Sequence, residues 1–403
     1  MKLDEKKRGV QINAYQAWDA ADNKGTVELA TGMGKTFVAI DAMMSCKKGA
    51  KVLFLAETNL REMDLNAQIA LYARFFNKSV DDHVDITFAC YQSACKWTGR
   101  KFDLVIADEI HDSLTSVYSK FYRNNEYDRI LGLSATVKSS QVYVIDGVEV
   151  SKEVLLDDIA PVCYTYDIGE GQREGTSRKL NLYFVYHRLD GTKKVIEGGN
   201  KKKRFMTTEA SQYNYLNNMF QKAIYAGNDG MFKMAAGKRA RFLYAFPSKV
   251  AAVKQLLKSI KGKSIVFGND LKALEEITPN VVRSAEKGVR TKVQQDERNF
   301  SLRNRFDLGR IRTIASFKML KQGANLKGAD NVIQMSYYST LPDFVQRIGR
   351  LRVNGDKMGN VVIMITLGTQ EEKWFDKMMK DVPLDEFTVH TCRNMNECIK
   401  LLK

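Results

Sequence analysis

Residues 27–36 read Val27-Glu28-Leu29-Ala30-Thr31-Gly32-Met33-Gly34-Lys35-Thr36, and the fold turns on this run. A strand-length stretch, Val27 to Ala30, leads into a loop with two glycines, and a helical pattern follows from Lys35 to Met44. A strand, a glycine loop and a helix in that order predict a phosphate-binding loop. Gly32 and Gly34 let backbone N–H groups turn toward phosphate oxygens, and the positive end of the helix adds to them. Lys35 is expected to reach the β- and γ-phosphates and Thr36 to hold Mg²⁺. Thr31, Gly32, Met33 and Gly34 would form the cradle. The strict motif has glycine six residues before the lysine, where this chain has Leu29.

A second run completes the chemistry. Leu104-Val105-Ile106-Ala107 has the composition of a buried strand and ends in Asp108-Glu109-Ile110-His111. A carboxylate at the end of such a strand, beside a phosphate loop, can hold Mg²⁺ through water, and Asp108 takes that role. Glu109, one residue on, is placed to orient and deprotonate an attacking water. An isolated Asp-Glu pair is usually a solvated turn. Its position after this strand, and after the loop in chain order, points instead to ATP hydrolysis with Mg²⁺.

Outward from these two runs, short apolar stretches alternate with helix-length segments. Val52 to Ala56, Ile86 to Cys90 and Ile130 to Leu133 are further strands. Such alternation predicts an α/β unit with a mostly parallel sheet. Between about Val137 and Arg204 glycine turns separate alternating runs, which predicts hairpin-rich connecting structure. That stretch ends in Gly198-Gly199-Asn200-Lys201-Lys202-Lys203-Arg204, a solvated basic turn with nucleic-acid contact as its second reading. Helical patterns at Tyr213 to Ile224 and Val250 to Ile260 follow. Strands at Ser264 to Phe267, Arg312 to Ser316, Val332 to Met335 and Val361 to Leu367 then form a second α/β unit. The expected boundaries are 1–140 for the first domain, 141–205 for the connecting segment, 206–370 for the second domain and 371–403 for a C-terminal extension.

Composition narrows the class. The 403 residues are 44% apolar and 27% charged, as in proteins with full-sized cores. No apolar run approaches the roughly 18 residues of a membrane span, so no membrane role is expected. The first residues, Met1 to Arg8, have no apolar stretch behind them and do not form a secretory signal. The chain is expected in the cytoplasm or the compartment that holds the host's nucleic acid. Six cysteines without close pairs and four histidines predict no zinc site. The net charge is +16, yet residues 1–150 carry roughly 19 basic and roughly 20 acidic side chains. The surplus therefore lies in the later part, where it would attract a polyanion.

The ordered set ATGMGKT (30–36), DEIH (108–111), Ser134-Ala135-Thr136 and Gln346-Arg347-Ile348-Gly349-Arg350 resembles the superfamily 2 helicases and translocases of the DExH kind. The later motifs are most similar to those of phage UvsW-like and restriction-subunit-like DNA helicases. The resemblance implies two tandem RecA-like domains with ATP in the cleft between them. It also implies that Gln16 reads adenine and that Gly323, Arg347 and Arg350 contact the nucleotide, with Arg350 as the arginine finger. His111, Ser134, Thr136 and Gln346 would couple hydrolysis to the strand. The chain departs from the pattern at Asn13, where an arginine usually precedes the glutamine, and at Arg352, which stands one residue early.

The implied activity is an ATP-dependent helicase or duplex translocase, on DNA rather than RNA. The alternatives are an RNA helicase and a nucleic-acid-binding or assembly factor with a regulatory ATPase. No recognition domain is expected within these 403 residues, so specificity would come from a protein partner or from substrate shape.

Overall fold

The computed structural model describes residues 3–57, 60–137, 141–145, 147–199, 204–284, 290–317, 328–336, 344, 347–349, 351, 357–380, 382 and 384–403. It divides into two units, Met1–Ser177 and Arg178–Lys403.

The first unit is built on a six-stranded sheet in which every pairing is parallel. Its strands are β1 (Lys24–Leu29), β2 (Ala50–Ala56), β3 (Val84–Cys90), β4 (Lys101–Asp108), β5 (Glu126–Ser134) and β8 (Val162–Tyr166), in the order β3-β2-β4-β5-β1-β8. A small antiparallel hairpin, β6 (Val142–Ile145) with β7 (Val148–Ser151), stands apart from it. Both faces of the sheet are covered, so its strands alternate between two cores rather than between core and water. Val52, Phe54, Leu104 and Ile106 pack on one side with the helices α1 (Glu5–Ala20), α2 (Lys35–Met44) and α3 (Leu60–Phe76). Leu53, Leu55, Val105 and Ala107 pack on the other with Phe121, Leu155 and Leu156. This two-sided burial explains why the strands read as continuous apolar runs.

The sheet order brings the site together. β5 lies between β4 and β1, with Asp108 opposite Leu133 and Glu28 opposite Ser134. The carboxyl ends of all three strands therefore share one edge, where α/β sheets bind ligands.

The second unit holds a seven-stranded sheet, again with every pairing parallel. Its strands are β9 (Leu180–His187), β12 (Ser264–Gly268), β13 (Val281–Val282), β14 (Thr313–Phe317), β15 (Asn331–Gln334), β16 (Gly359–Thr366) and β17 (Thr388–Cys392). The order is β13-β14-β12-β15-β16-β9-β17. A further hairpin, β10 (Ile196–Gly199) with β11 (Arg204–Thr207), precedes a pair of helices.

Two sequence-based boundaries need correcting. The stretch 141–205 is not a separate connector, because β8 completes the first sheet and β9 lies inside the second. The stretch 371–403 is not an extension, because β17 pairs with β9 along Thr388–Cys392, and Cys398 and Ile399 are core residues. Both errors have one cause. Parallel strands pair with partners far away in sequence, and local composition carries no trace of that pairing.

Candidate nucleotide site

The loop after β1 is shaped by its glycines. Gly32 and Gly34 have φ of +98° and +84°, a region that side chains rarely adopt. A Cβ on Gly34 would also lie 2.5 Å from the Gln11 amide nitrogen. Gly34 caps α2 without any side-chain hydrogen bond, which leaves the first N–H groups of the helix for a ligand. The buried Thr31 hydroxyl has no hydrogen-bond partner among the described residues. An orphaned hydroxyl beside uncapped amides fits a polyphosphate.

Lys35 and Glu109 face one another across this loop, with Nζ to Oε1 at 2.8 Å. Both side chains are only 12% exposed. Burial by itself raises the Glu109 pKa, but the Lys35 ammonium, then His111 and Arg61, outweigh it and hold the carboxyl down at about 2. Its second oxygen, Oε2, is buried without a hydrogen bond among the described residues and lies 3.6 Å from His111 Nδ1. Glu109 also has φ +52°, a strained conformation for a side-chain residue, of the kind that concentrates at functional sites.

His111 continues the connection. Its Nδ1 is 2.9 Å from the Ser134 hydroxyl, which donates to the Thr136 carbonyl at 2.8 Å and accepts from the Thr136 N–H at 3.2 Å. Ser134 is fully buried and Thr136 nearly so. A chain of contacts thus runs from Glu109 through His111 and Ser134 to Thr136. The structure brings these four sequence-derived residues together at the end of β5.

Asp108 is held by a residue that the motifs did not reveal. Arg61, on α3, donates to Asp108 Oδ2 from both Nε (2.7 Å) and Nη2. Tyr91 donates its hydroxyl to the Asp108 carbonyl at 3.0 Å. For Arg61, burial opposes the charge, but Asp108 outweighs it and raises the guanidinium pKa further.

Two glutamines of α1 differ in their surroundings. Gln16, expected to read adenine, is exposed, whereas Gln11 is buried and donates to the Met33 carbonyl at 2.7 Å. Helix periodicity explains the difference. Val10, Gln11, Ala14 and Trp18 form the buried face of α1, and position 16 falls opposite to it. The signal was present in the spacing of Val10, Ala14 and Trp18. Arg8, three residues before Gln11, pairs with Asp41 of α2 at 2.6 and 2.9 Å.

In the second unit Arg347 is 2% exposed, donates to the Ser336 carbonyl at 2.8 Å and lies over the Phe267 ring. Gly323, Gln346, Arg350 and Arg352 lie outside the described residues.

Two parallel α/β units, the first with a phosphate loop, an Asp-Glu pair and a Ser-Ala-Thr relay at one sheet edge, define a tandem RecA-like nucleotide-site protein. Comparison with known proteins carries this further. Residues 4–139 match the family model described as type III restriction enzyme, res subunit, and residues 248–354 match the helicase conserved C-terminal domain. The DNA 3'-5' translocase XPB2 of Sulfurisphaera tokodaii is 26% identical over 377 residues, spanning 90% of this chain and 82% of that protein. Among solved structures, the ATP-dependent type ISP restriction-modification enzyme LlaBIII bound to DNA is similar with a TM-score of 0.58 and 13% identity. That likeness covers 98% of this chain and 31% of that one. Saccharomyces cerevisiae Dbp5 bound to RNA and ADP BeF3 has a TM-score of 0.56 and 12% identity, covering 97% and 92% of the two chains. At such identities the structures speak for the fold alone. With the two domain matches, these findings support a superfamily 2 helicase or restriction-subunit-like protein.

No helix among the described residues is long and apolar enough to cross a membrane.

Proposed function

We propose that the chain is an ATP-driven DNA helicase or duplex translocase. The observation that carries this reading is the position of Glu109. Its carboxylate is nearly buried on a backbone with positive φ, with Lys35 on one side and the His111–Ser134–Thr136 relay on the other. An ionised carboxylate with a free oxygen edge is suited to accept a proton from a water attacking the γ-phosphate. Lys35 leaves that carboxylate when a phosphate offers it a stronger partner, so nucleotide binding and release of the base become one event.

Thr36 and Asp108 would hold Mg²⁺, with Arg61 fixing the Asp108 carboxylate through Oδ2. The bound ion would neutralise charge on the phosphates. Gln11, rather than Gln16, is the residue of α1 that supports the loop and is our candidate for sensing the base. The assignment of Arg350 to the γ-phosphate rests on its motif alone. The DNA preference draws on the translocase relative and on the basic surplus outside the first 150 residues.

Steady-state ATPase rates, titrated with single-stranded DNA, duplex DNA, branched DNA and RNA, test this reading. Stimulation by DNA above that by RNA is expected. A rate indifferent to every nucleic acid would overturn the motor assignment.

A further inference from the structure

The stretch between β9 and the helix Pro247–Ser259, residues 188–246, holds 12 lysines and arginines against 4 aspartates and glutamates. Its net +8 is half of the chain's +16 in about a seventh of its length. After the β10–β11 hairpin it forms two successive helices, Glu209–Tyr225 and Asp229–Tyr244, joined by a three-residue turn.

The inner faces of the two helices are already occupied. Tyr213, Leu216 and Ala223 are buried on the first, and Ala235, Arg239 and Leu243 on the second. The Arg239 guanidinium sits 3.7 Å from the Phe220 ring centre and donates to Asn217 and Gln370. The Gln370 N–H donates to the Tyr213 hydroxyl at 3.0 Å. These contacts fasten the pair to the helix Gln370–Met379, and the packing needs of the two helices are met on that side.

The outer faces are unlike an ordinary solvated surface. On the first helix Tyr215, Asn218, Lys222 and Tyr225 follow at i, i+3, i+7 and i+10, one stripe about 15 Å long. All four are exposed, Tyr215 at 59% and Tyr225 at 88%. The second helix repeats the spacing with Met231, Met234, Lys238 and Arg241, and its methionines are 48% and 49% exposed. Tyr225 ends the first helix and Met231 lies in the first turn of the second, so both stand at the turn end of the pair.

Solubility alone would favour charge at these positions. A membrane surface would require a continuous apolar face, which Asn218 and Lys222 interrupt. A polyanion with stackable rings satisfies both parts of the pattern. Phosphates pair with the cations, and bases offer faces to tyrosine and methionine.

We propose that the helical pair 209–244 is a nucleic-acid-gripping arm of the second unit. Lys222, Lys238 and Arg241 hold phosphates, while Tyr225 and Met231 press against bases exposed where a duplex opens. The proposal rests on the nucleic-acid motor reading and adds to it the surface that meets the junction.

The test uses the full chain and two probes: a DNA fork with 2-aminopurine at the junction, and a single strand of equal length. Tyr225→Ala and the double variant Lys222→Ala/Lys238→Ala both change exposed positions, and their melting temperatures should match wild type. Wild type should brighten the 2-aminopurine on binding the fork. Tyr225→Ala should abolish that change and weaken fork binding about tenfold, within the range for loss of one stacked base. The lysine variant should lower the salt dependence of fork binding by about two units of log–log slope. Wild-type fork affinity and fluorescence in Tyr225→Ala would overturn the arm while leaving the motor reading intact. A wild-type chain that binds neither probe would overturn the motor reading, and the arm with it. A dimer in sedimentation that Tyr225→Ala dissociates would assign this face to a second copy of the chain.

Discussion

Lys35–Glu109 in the first unit and Lys249–Glu371 in the second are both close lysine–carboxylate pairs, at 2.8 and 2.6 Å. Their surroundings differ. Lys249 and Glu371 are 0% and 1% exposed, and both make further hydrogen bonds. Lys249 also donates to the Leu243 carbonyl at 2.8 Å, and Glu371 Oε2 accepts from the Thr366 N–H and hydroxyl at 3.1 and 2.5 Å. Glu109, by contrast, keeps an oxygen without a hydrogen bond and sits on a strained backbone, beside the orphaned hydroxyl of Thr31. The comparison teaches how to tell a scaffold from a site. A satisfied buried pair fixes one structure, whereas a pair left partly unsatisfied is ready to exchange partners with a ligand.

The strongest way to break this contrast is to neutralise each pair in turn. Glu109→Gln should lower the DNA-stimulated ATPase rate by roughly 10²–10⁴-fold while ATP still binds, since the loss is of a general base. Lys35→Ala should remove ATP binding as well as turnover. Near-normal turnover in Glu109→Gln, measured under saturating DNA, would show that the base lies elsewhere.

In the second unit the effect should be on stability. Lys249→Met leaves the Glu371 carboxylate buried without its cation, which costs about 3–5 kcal/mol. The double variant Lys249→Met/Glu371→Leu should recover part of that loss. Urea unfolding followed by circular dichroism measures both, and a neutral single variant would mean that Glu371 is solvated or protonated.

Acid should distinguish the two units as well. His187 lies 2.9 Å from the Ser248 hydroxyl, and burial, aided by the Lys249 charge, lowers its pKa from 6.5 to about 4 against the pull of Glu209. The unfolded chain therefore binds this proton more readily. The stability His187 contributes is complete above pH 6.5 and is lost as pH falls toward 4. The carboxyl of Glu109 is depressed from 4.5 to about 2, so its contribution persists above pH 4.5 and is lost as pH falls toward 2. Urea midpoints taken from pH 7 to pH 3 should decline first through His187. His187→Asn should flatten the limb between pH 6.5 and 4, and an unchanged slope there would remove His187 from this account.

The smallest expected difference separates two glutamines on one helix. Gln11→Ala leaves the Met33 carbonyl without its buried donor and should cost about 1–3 kcal/mol, seen as weaker ATP binding or lower stability. Gln16→Ala, at an exposed position, should stay within about 0.5 kcal/mol of wild type. Equal effects from the two would return the choice between them to the motif reading.

The sequence by itself located the glycine loop and the Asp-Glu pair of the first unit. A strand, a glycine loop and a helix, followed by Asp108-Glu109 after an apolar strand, are local patterns, and local patterns fold locally. The same holds for the strand at 264–267 and its successors, each legible because a strand buried on both faces is apolar throughout. Only the tertiary structure decided which strands belong to which sheet. β8 and β17 are edge strands whose parallel partners, β1 and β9, lie more than 130 residues away, or more than 200, along the chain. It also decided that Arg61 holds Asp108 and that Gln11 is buried against the loop while Gln16 is exposed. The physical reason is common to all of these: side-chain partners are chosen by helix phase and sheet order, and neither is written at the residue that depends on it.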